Sequence, residues 1–501
     1  MNPTYGIVAV SLVAIATLAI GVFGLRFSRT TSDFYVASRS VTPALNGSAI
    51  SGEYLSAASF LGVAGLVLTH GADMLWYPIG WTAGYLLLLV FVAAPLRRSG
   101  AYTIPDFAQV RLQSLAVRRV STLLVVGVGW LYLLPQFQGA GLTLQTVLDV
   151  PRWVGTVLVA AIVTLNVVLG GMRSITFVQA FQYWLKLTAL LVPLMFLLLA
   201  WSRDGRPAAQ AGSDWWAPLG DASPESIYST YAVIVATFLG TMGLPHVVVR
   251  FYTNPDGHAA RRTTLIVLVL ISAFYLLPTF YGVLGRIYAS DLVGSGRADT
   301  VVLELPSRLV AGSFGELLTA LITAGAFAAF LSTSSGVTMA LAGVVGQGLS
   351  DHGPWRGRLS SIAALRIAAA ACVAVPLTLA FYAEAIPVAS SVVFAFALAA
   401  STFCPLLVLG IWWRGLTAAG AIAGLIGGGV CAATAPIVTL AVDVDGWWGT
   451  LMSQPAVWSV PIGFGLMIAG SLLTRSRVPA NVTRTMVRLH TPERVQVDRR
   501  F

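Results

Sequence analysis

Long apolar runs alternate with short polar segments along almost the whole chain. A bilayer crossing needs about 20 apolar residues as a helix. On that spacing the sequence predicts thirteen crossings, near residues 4–25, 44–69, 73–96, 121–148, 154–170, 176–201, 226–249, 263–288, 313–347, 360–382, 387–411, 416–440 and 452–474. Two of these runs are interrupted. Leu45–Phe60 lies inside a crossing yet holds glycines, serines and the carboxylate of Glu53. Tyr231–Tyr252 carries Gly240-Thr241-Met242-Gly243-Leu244-Pro245-His246 at its centre. Backbone that leaves the helix at membrane depth has to line a cavity or be buried in protein. The interruptions lie five crossings apart, which points to an inverted repeat. Crossings 2–6 and 7–11 are read as the two repeats, with the first helix and the last two as accessories. Residues 1–43, 44–411, 412–474 and 475–501 then form an N-terminal helix and loop, a transport core, two accessory helices and a basic tail.

Composition narrows the class further. The 501 residues are 57% hydrophobic and 10% charged, which excludes a soluble domain and leaves an all-α polytopic membrane protein. The net charge of +10 then reads as basic loops beside anionic lipid, with no nucleic-acid partner expected. With the N-terminus outside, the cytoplasmic segments would hold Arg26, Arg29, Arg97, Arg98, Arg111, Arg118, Arg250, Arg261, Arg356, Arg358 and Arg414, besides a tail containing Arg494, Arg499 and Arg500. The outer segments hold few: Arg152, Arg203, Arg206, Arg286, Arg297 and Arg308. That asymmetry places the C-terminus in the cytoplasm of a cell (inner) membrane. Met1–Tyr5 lacks the basic residues of a secretory signal. Cys372, Cys404 and Cys431 lie in apolar runs and imply no disulfide or metal framework.

The polar residues inside crossings carry the candidate chemistry. Ser332-Thr333-Ser334-Ser335 puts four hydroxyls deep in one helix. They either back-bond to the preceding turn or supply oxygens to a hard monovalent cation. Carbonyls of Gly52, Leu55 and Ala329 with hydroxyls of Ser332 and Thr333 would make a five-oxygen cation site. Glu53 is a candidate coupling carboxylate. Lys186, the only lysine, lies about ten residues into its crossing, roughly 15 Å deep at helical rise. It is either a snorkelling structural cation or a proton-carrying substitute for a metal ion, and the structural role is preferred. Gln136 and Gln138, at another polar interruption, either bind solute or bond a neighbouring helix. His246 reads as a structural histidine. Ser51, Tyr54, Ser56, Thr237 and Thr241 at the breaks are candidate solute contacts, and Phe394 and Phe396 are placed to close over a methyl group. No nucleophile–base pair, metal cluster or phosphate loop suggests an enzyme.

The motifs Gly52-Glu53-Tyr54-Leu55-Ser56-Ala57-Ala58-Ser59-Phe60-Leu61-Gly62, Tyr102-Thr103-Ile104-Pro105-Asp106, Gly170-Gly171-Met172-Arg173 and Gly243-Leu244-Pro245-His246 with Arg250-Phe251-Tyr252 resemble the solute:sodium symporters. Within them the chain is most similar to the cation/acetate (monocarboxylate) branch, over nearly its whole length. The resemblance implies a LeuT-like 5+5 inverted repeat and alternating access. It implies a sodium site at Gly52, Leu55, Ala329, Ser332 and Thr333, and no cofactor besides Na⁺ or H⁺ as coupling ion. The chain departs from the branch in three ways: Glu53 stands for the usual Asp, Gln179 for a supporting acid, and Gln182 for a lysine that here comes one turn later, at Lys186. The expected function is symport of acetate, propionate or pyruvate. Symport of another solute such as proline or a polyol, or a membrane sensor, is the alternative. The solute, the coupling ion and the oligomeric state stay open at this point.

Overall fold

The computed structural model describes residues 3–25, 37–219, 223–349, 360–382, 388–441, 446–493 and 495. Arg26, Arg29, Arg356, Arg358, Arg494, Arg499 and Arg500 lie outside them. Among the described residues, eleven helices are long and apolar enough to cross a membrane. Two of these far exceed one crossing, at 42 residues (Ala58–Ser99) and 52 residues (Arg152–Arg203). The first is divided by a tight 3-10 turn at Gly71–Leu75. The second is divided at Gly171, whose φ of 66° and ψ of −178° suit only a residue without Cβ. With both divided, the described helices offer about as many crossings as the sequence predicts.

The first interrupted helix, Pro43–Tyr54, begins with proline at its first turn behind an extended Thr42. It stops at Leu55, where ψ reaches 88°. After Ser56 the chain resumes through a wide turn at Ala58–Gly62 and continues as Val63–His70. The second interrupted helix runs Pro224–Gly243 and restarts at Pro245–Val249, then tightens into a 3-10 turn at Arg250–Thr253. Proline has no N–H to strand and pushes Leu244 extended, so it breaks the helix without leaving an orphan donor.

The core forms where these breaks meet long helices. Gly312–Gln347, called here the Ser332 helix, packs along the Arg152–Arg203 helix that carries Lys186. The Pro43–Tyr54 helix packs on the same Lys186 helix. It lies close because Gly52 has no side chain: a Cβ there would fall 2.2 Å from the Gln179 carbonyl oxygen. The Pro224–Gly243 helix packs against Val388–Trp412, the Phe396 helix. Buried Arg111 holds the far end of that helix, donating to the carbonyls of Gly410 at 2.8 Å and Trp413 at 3.0 Å. A cation there also complements the helix C-terminus.

Candidate functional site

Leaving the helix at Leu55 turns the Gly52 and Leu55 carbonyls away from ordinary helical partners. Both face the Lys186 ammonium. Nζ donates to Gly52 O, to Leu55 O at 2.8 Å and to Ser332 Oγ at 2.9 Å. Those three acceptors match in number the three hydrogens of an ammonium. Lys186 is 0% exposed, so it does not snorkel, and its ammonium is aimed into the cage.

The other cage oxygens are engaged as well. Ala329 O accepts from Ser332 Oγ at 3.0 Å. Thr333 Oγ1 donates to Glu53 O at 2.6 Å, tying the Ser332 helix to the first break. Gln179 Nε2 donates to Ser332 O at 2.8 Å. All five expected cation-site residues are therefore brought together, and around a lysine. Gln182, one turn earlier, reaches away to Thr17 Oγ1 in the first helix at 3.0 Å.

Glu53 is also paired. Its Oε2 accepts from Arg250 Nε at 2.6 Å, with both side chains at most 2% exposed. Arg250 further donates to Thr176 Oγ1 at 2.9 Å and to Gln179 Oε1. Counting Arg250 among loop cations is the clearest correction to the sequence reading. The chain after Pro245 stays inside the protein long enough to bury it, and the available signal was its place five residues after Pro245, behind the apolar run Val247-Val248-Val249. A lone carboxylate buried here would be costly, and Arg250 compensates it.

An aromatic cluster packs around the breaks, and is the lining of a candidate solute chamber. Phe396 packs near Tyr54, Trp81 and Tyr132, with ring centroids 6.3, 5.9 and 5.9 Å away. Tyr275 stacks on Trp81 at 5.7 Å, and His246 sits 4.7 Å from Tyr132. The chamber is shut: none of these side chains is more than 5% exposed. Trp81 Nε1, Tyr85 OH, Ser51 Oγ and His246 Nε2 are buried with no hydrogen-bond partner among the described residues.

The remaining candidates divide. Tyr54 and Thr241 hydroxyls lie 2.7 Å apart and bridge the two breaks directly. Ser56 is buried in the first break itself. Gln136 is committed to backbone: its Oε1 accepts from Ala57 N at 2.9 Å, and its Nε2 donates to Tyr132 O at 3.2 Å. Thr237 Oγ1 bonds back to Val233 O at 2.7 Å. Phe394 is only partly buried, whereas Phe396, two residues on, lines the chamber.

Known proteins resemble this arrangement. The model of the sodium:solute symporter family matches residues 34–428. The uncharacterized symporter YwcA of Bacillus subtilis is 30% identical, over 95% of this chain and 96% of its own length. A monocarboxylic acid transporter of Corynebacterium glutamicum is also 30% identical, over 96% of this chain and 93% of its own. Among solved structures, a Na⁺-coupled sialic acid symporter in a substrate-bound outward-open state superposes with a TM-score of 0.70 at 14% identity, covering 94% of this chain and 97% of that one. MhsT in complex with L-phenylalanine gives 0.55 at 14%, covering 86% and 99%. The fold is the LeuT-type inverted repeat expected from the two breaks, and the chain is a multi-pass transporter and no enzyme. Both the family model and the full-length relatives place it in one group: this chain belongs to the sodium:solute symporter family.

Proposed function

We propose that the chain imports a short-chain monocarboxylate, such as acetate, propionate or pyruvate, together with a cation, Na⁺ or H⁺, by alternating access. The cell membrane is its site, with the N-terminus outside and the C-terminus in the cytoplasm. One observation carries the solute class. Around the two breaks, the buried charged side chains among the described residues are one carboxylate, Glu53, and two cations, Arg250 and Lys186. That surplus positive charge sits in a low-dielectric interior, where an unbalanced charge is costly. A monocarboxylate entering the chamber balances it, and a neutral polyol or zwitterionic amino acid does not. The ring faces of Phe396, Trp81 and Tyr132 suit a methyl or short alkyl end. The unpartnered donors Trp81 Nε1 and Tyr85 OH suit the carboxylate oxygens. The relative named a monocarboxylic acid transporter supports the same class.

In this reading the solute enters from outside while the Tyr54–Thr241 contact between the breaks is open. The rings close over it, and the two broken helices tilt to release it inward. The test is uptake of labelled acetate and pyruvate into proteoliposomes holding the purified chain. The expected result is accumulation of at least one acid, competed by the other short monocarboxylates and not by proline. Accumulation of proline, with no competition by acetate or pyruvate, would overturn the solute class.

A further inference from the structure

We propose that Lys186 is the resident cation of the five-oxygen cage, so that this symporter binds no sodium there. The family's name implies a sodium ion, and the residues around the first break do not fit one. The argument rests on reading the chain as a cation-coupled symporter, and not on which solute it carries.

A monovalent metal ion at this place would need the Gly52 and Leu55 carbonyls, the Ala329 carbonyl and the Ser332 and Thr333 hydroxyls turned toward one centre. Three of those five oxygens point at Lys186 Nζ instead. The fourth accepts the Ser332 hydroxyl hydrogen, and the Thr333 hydroxyl is turned onto Glu53 O. No oxygen of the set is left facing an empty centre. The ammonium ties the broken helix to the Ser332 helix, which is the link an ion in the cage would make. Gln179 holds the far side, with its amide on Ser332 O and its carbonyl on Arg250.

Charge excludes sodium as firmly as space does. Glu53 is the one buried carboxylate near the cage, and Arg250 already compensates it. Adding a metal ion beside the Lys186 ammonium would bring a third positive charge against that single negative one, without water to screen it. A tethered ammonium also cannot leave with the solute. The ion gradient that drives uptake therefore does not act by filling this cage with sodium.

Binding of ²²Na⁺ to the purified full-length chain tests this without any solute. The wild-type protein is expected to show no saturable binding that Ser332→Ala removes. Lys186→Ala vacates the cage and is expected to gain saturable sodium binding, which Ser332→Ala in the same background removes. Lys186→Met keeps the side-chain length without the charge. It is the control for folding and is expected to stay silent. Saturable binding by the wild type that is lost on Ser332→Ala would overturn the proposal. Silence of a folded Lys186→Ala protein would overturn it too, since a vacated oxygen cage has to accept a cation. If sodium binding follows the expected pattern while acetate and pyruvate uptake fails, the solute reading falls and the cage assignment stands.

Discussion

At the first interruption the chain leaves the helix at Leu55 without a proline, and the freed backbone groups are satisfied from far away in sequence. Lys186 takes the Gly52 and Leu55 carbonyls, and Gln136 takes the Ala57 N–H. At the second interruption Pro245 removes the donor that would otherwise be stranded, and Leu244 is extended with ψ of 119°. One break is held open by tertiary partners, and the other is written into the covalent chain. The consequence is mechanical. The first break depends on its neighbours being in place, so it is the one that can respond to what occupies the core. The second is rigid whatever surrounds it, and suits a fixed wall. The Tyr54–Thr241 hydroxyl contact and the Glu53–Arg250 ion pair join the responsive side to the rigid side.

Removing half of the ion pair that spans the two breaks should do the most damage. Arg250→Met leaves Glu53 buried without its partner, a loss of about 3–5 kcal/mol for a buried pair. Thermal unfolding in detergent should show a large fall, and Glu53→Gln combined with Arg250→Met should recover much of it. A double variant no more stable than Arg250→Met would show that the pair does not join the breaks energetically.

A smaller effect is expected where a single donor at the first break loses its partner. Gln136→Leu strands the Ala57 N–H and should cost about 1–3 kcal/mol, the desolvation of one buried backbone group. The loss should appear in unfolding, and solute uptake should fall with it, because the helix restart is no longer fixed. Unchanged stability would mean that the first break is not held by Gln136.

Pro245→Ala probes the rigid side. The expected stability change is about 0.4–1 kcal/mol, arising mostly in the unfolded chain. Uptake should fall much more than stability, since Leu244 is then free to rejoin the helix and straighten the wall. Equal losses in both would contradict the distinction between the breaks.

A pH-dependent effect concerns the outer arm of the first break. The turn Ala298–Thr300 lies against Gly65 in Val63–His70. Burial pushes the Asp299 carboxyl up to about 6, above its unfolded value of about 3.9. Below both values the carboxyl is neutral in either state. As pH rises between them the unfolded chain ionises first, so stability falls across about pH 4–6 and stays lower above it. Unfolding midpoints measured over that interval should decline for the wild type relative to Asp299→Asn. Parallel curves would show that Asp299 makes no difference to the outer arm.

Several features of the core were readable one run at a time. Gly52 and Glu53 in an apolar segment marked the first break, and Gly243-Leu244-Pro245 marked the second. The hydroxyl run at Ser332 marked the facing helix. Direction was harder. Lys186 read as a snorkelling cation because depth along a helix says nothing about which neighbour the side chain meets. Arg250 read as a loop residue because a positive charge near a helix end usually is one. Gln136 read as either solute-facing or bonded to a neighbouring helix, and its amide oxygen is taken by the Ala57 N–H. Phe394 and Phe396 are both aromatic, and only helix rotation decides which one faces the chamber.

The sequence by itself determined the membrane class, the succession of crossings, the two breaks and the family, because bilayer thickness and the backbone chemistry of glycine and proline act locally. Only the tertiary structure decided that a lysine fills the oxygen cage and an arginine balances Glu53. Those contacts join residues 131 to 197 positions apart. Their energy comes from satisfying buried polar groups against one another, and such pairing exists only once the helices are packed.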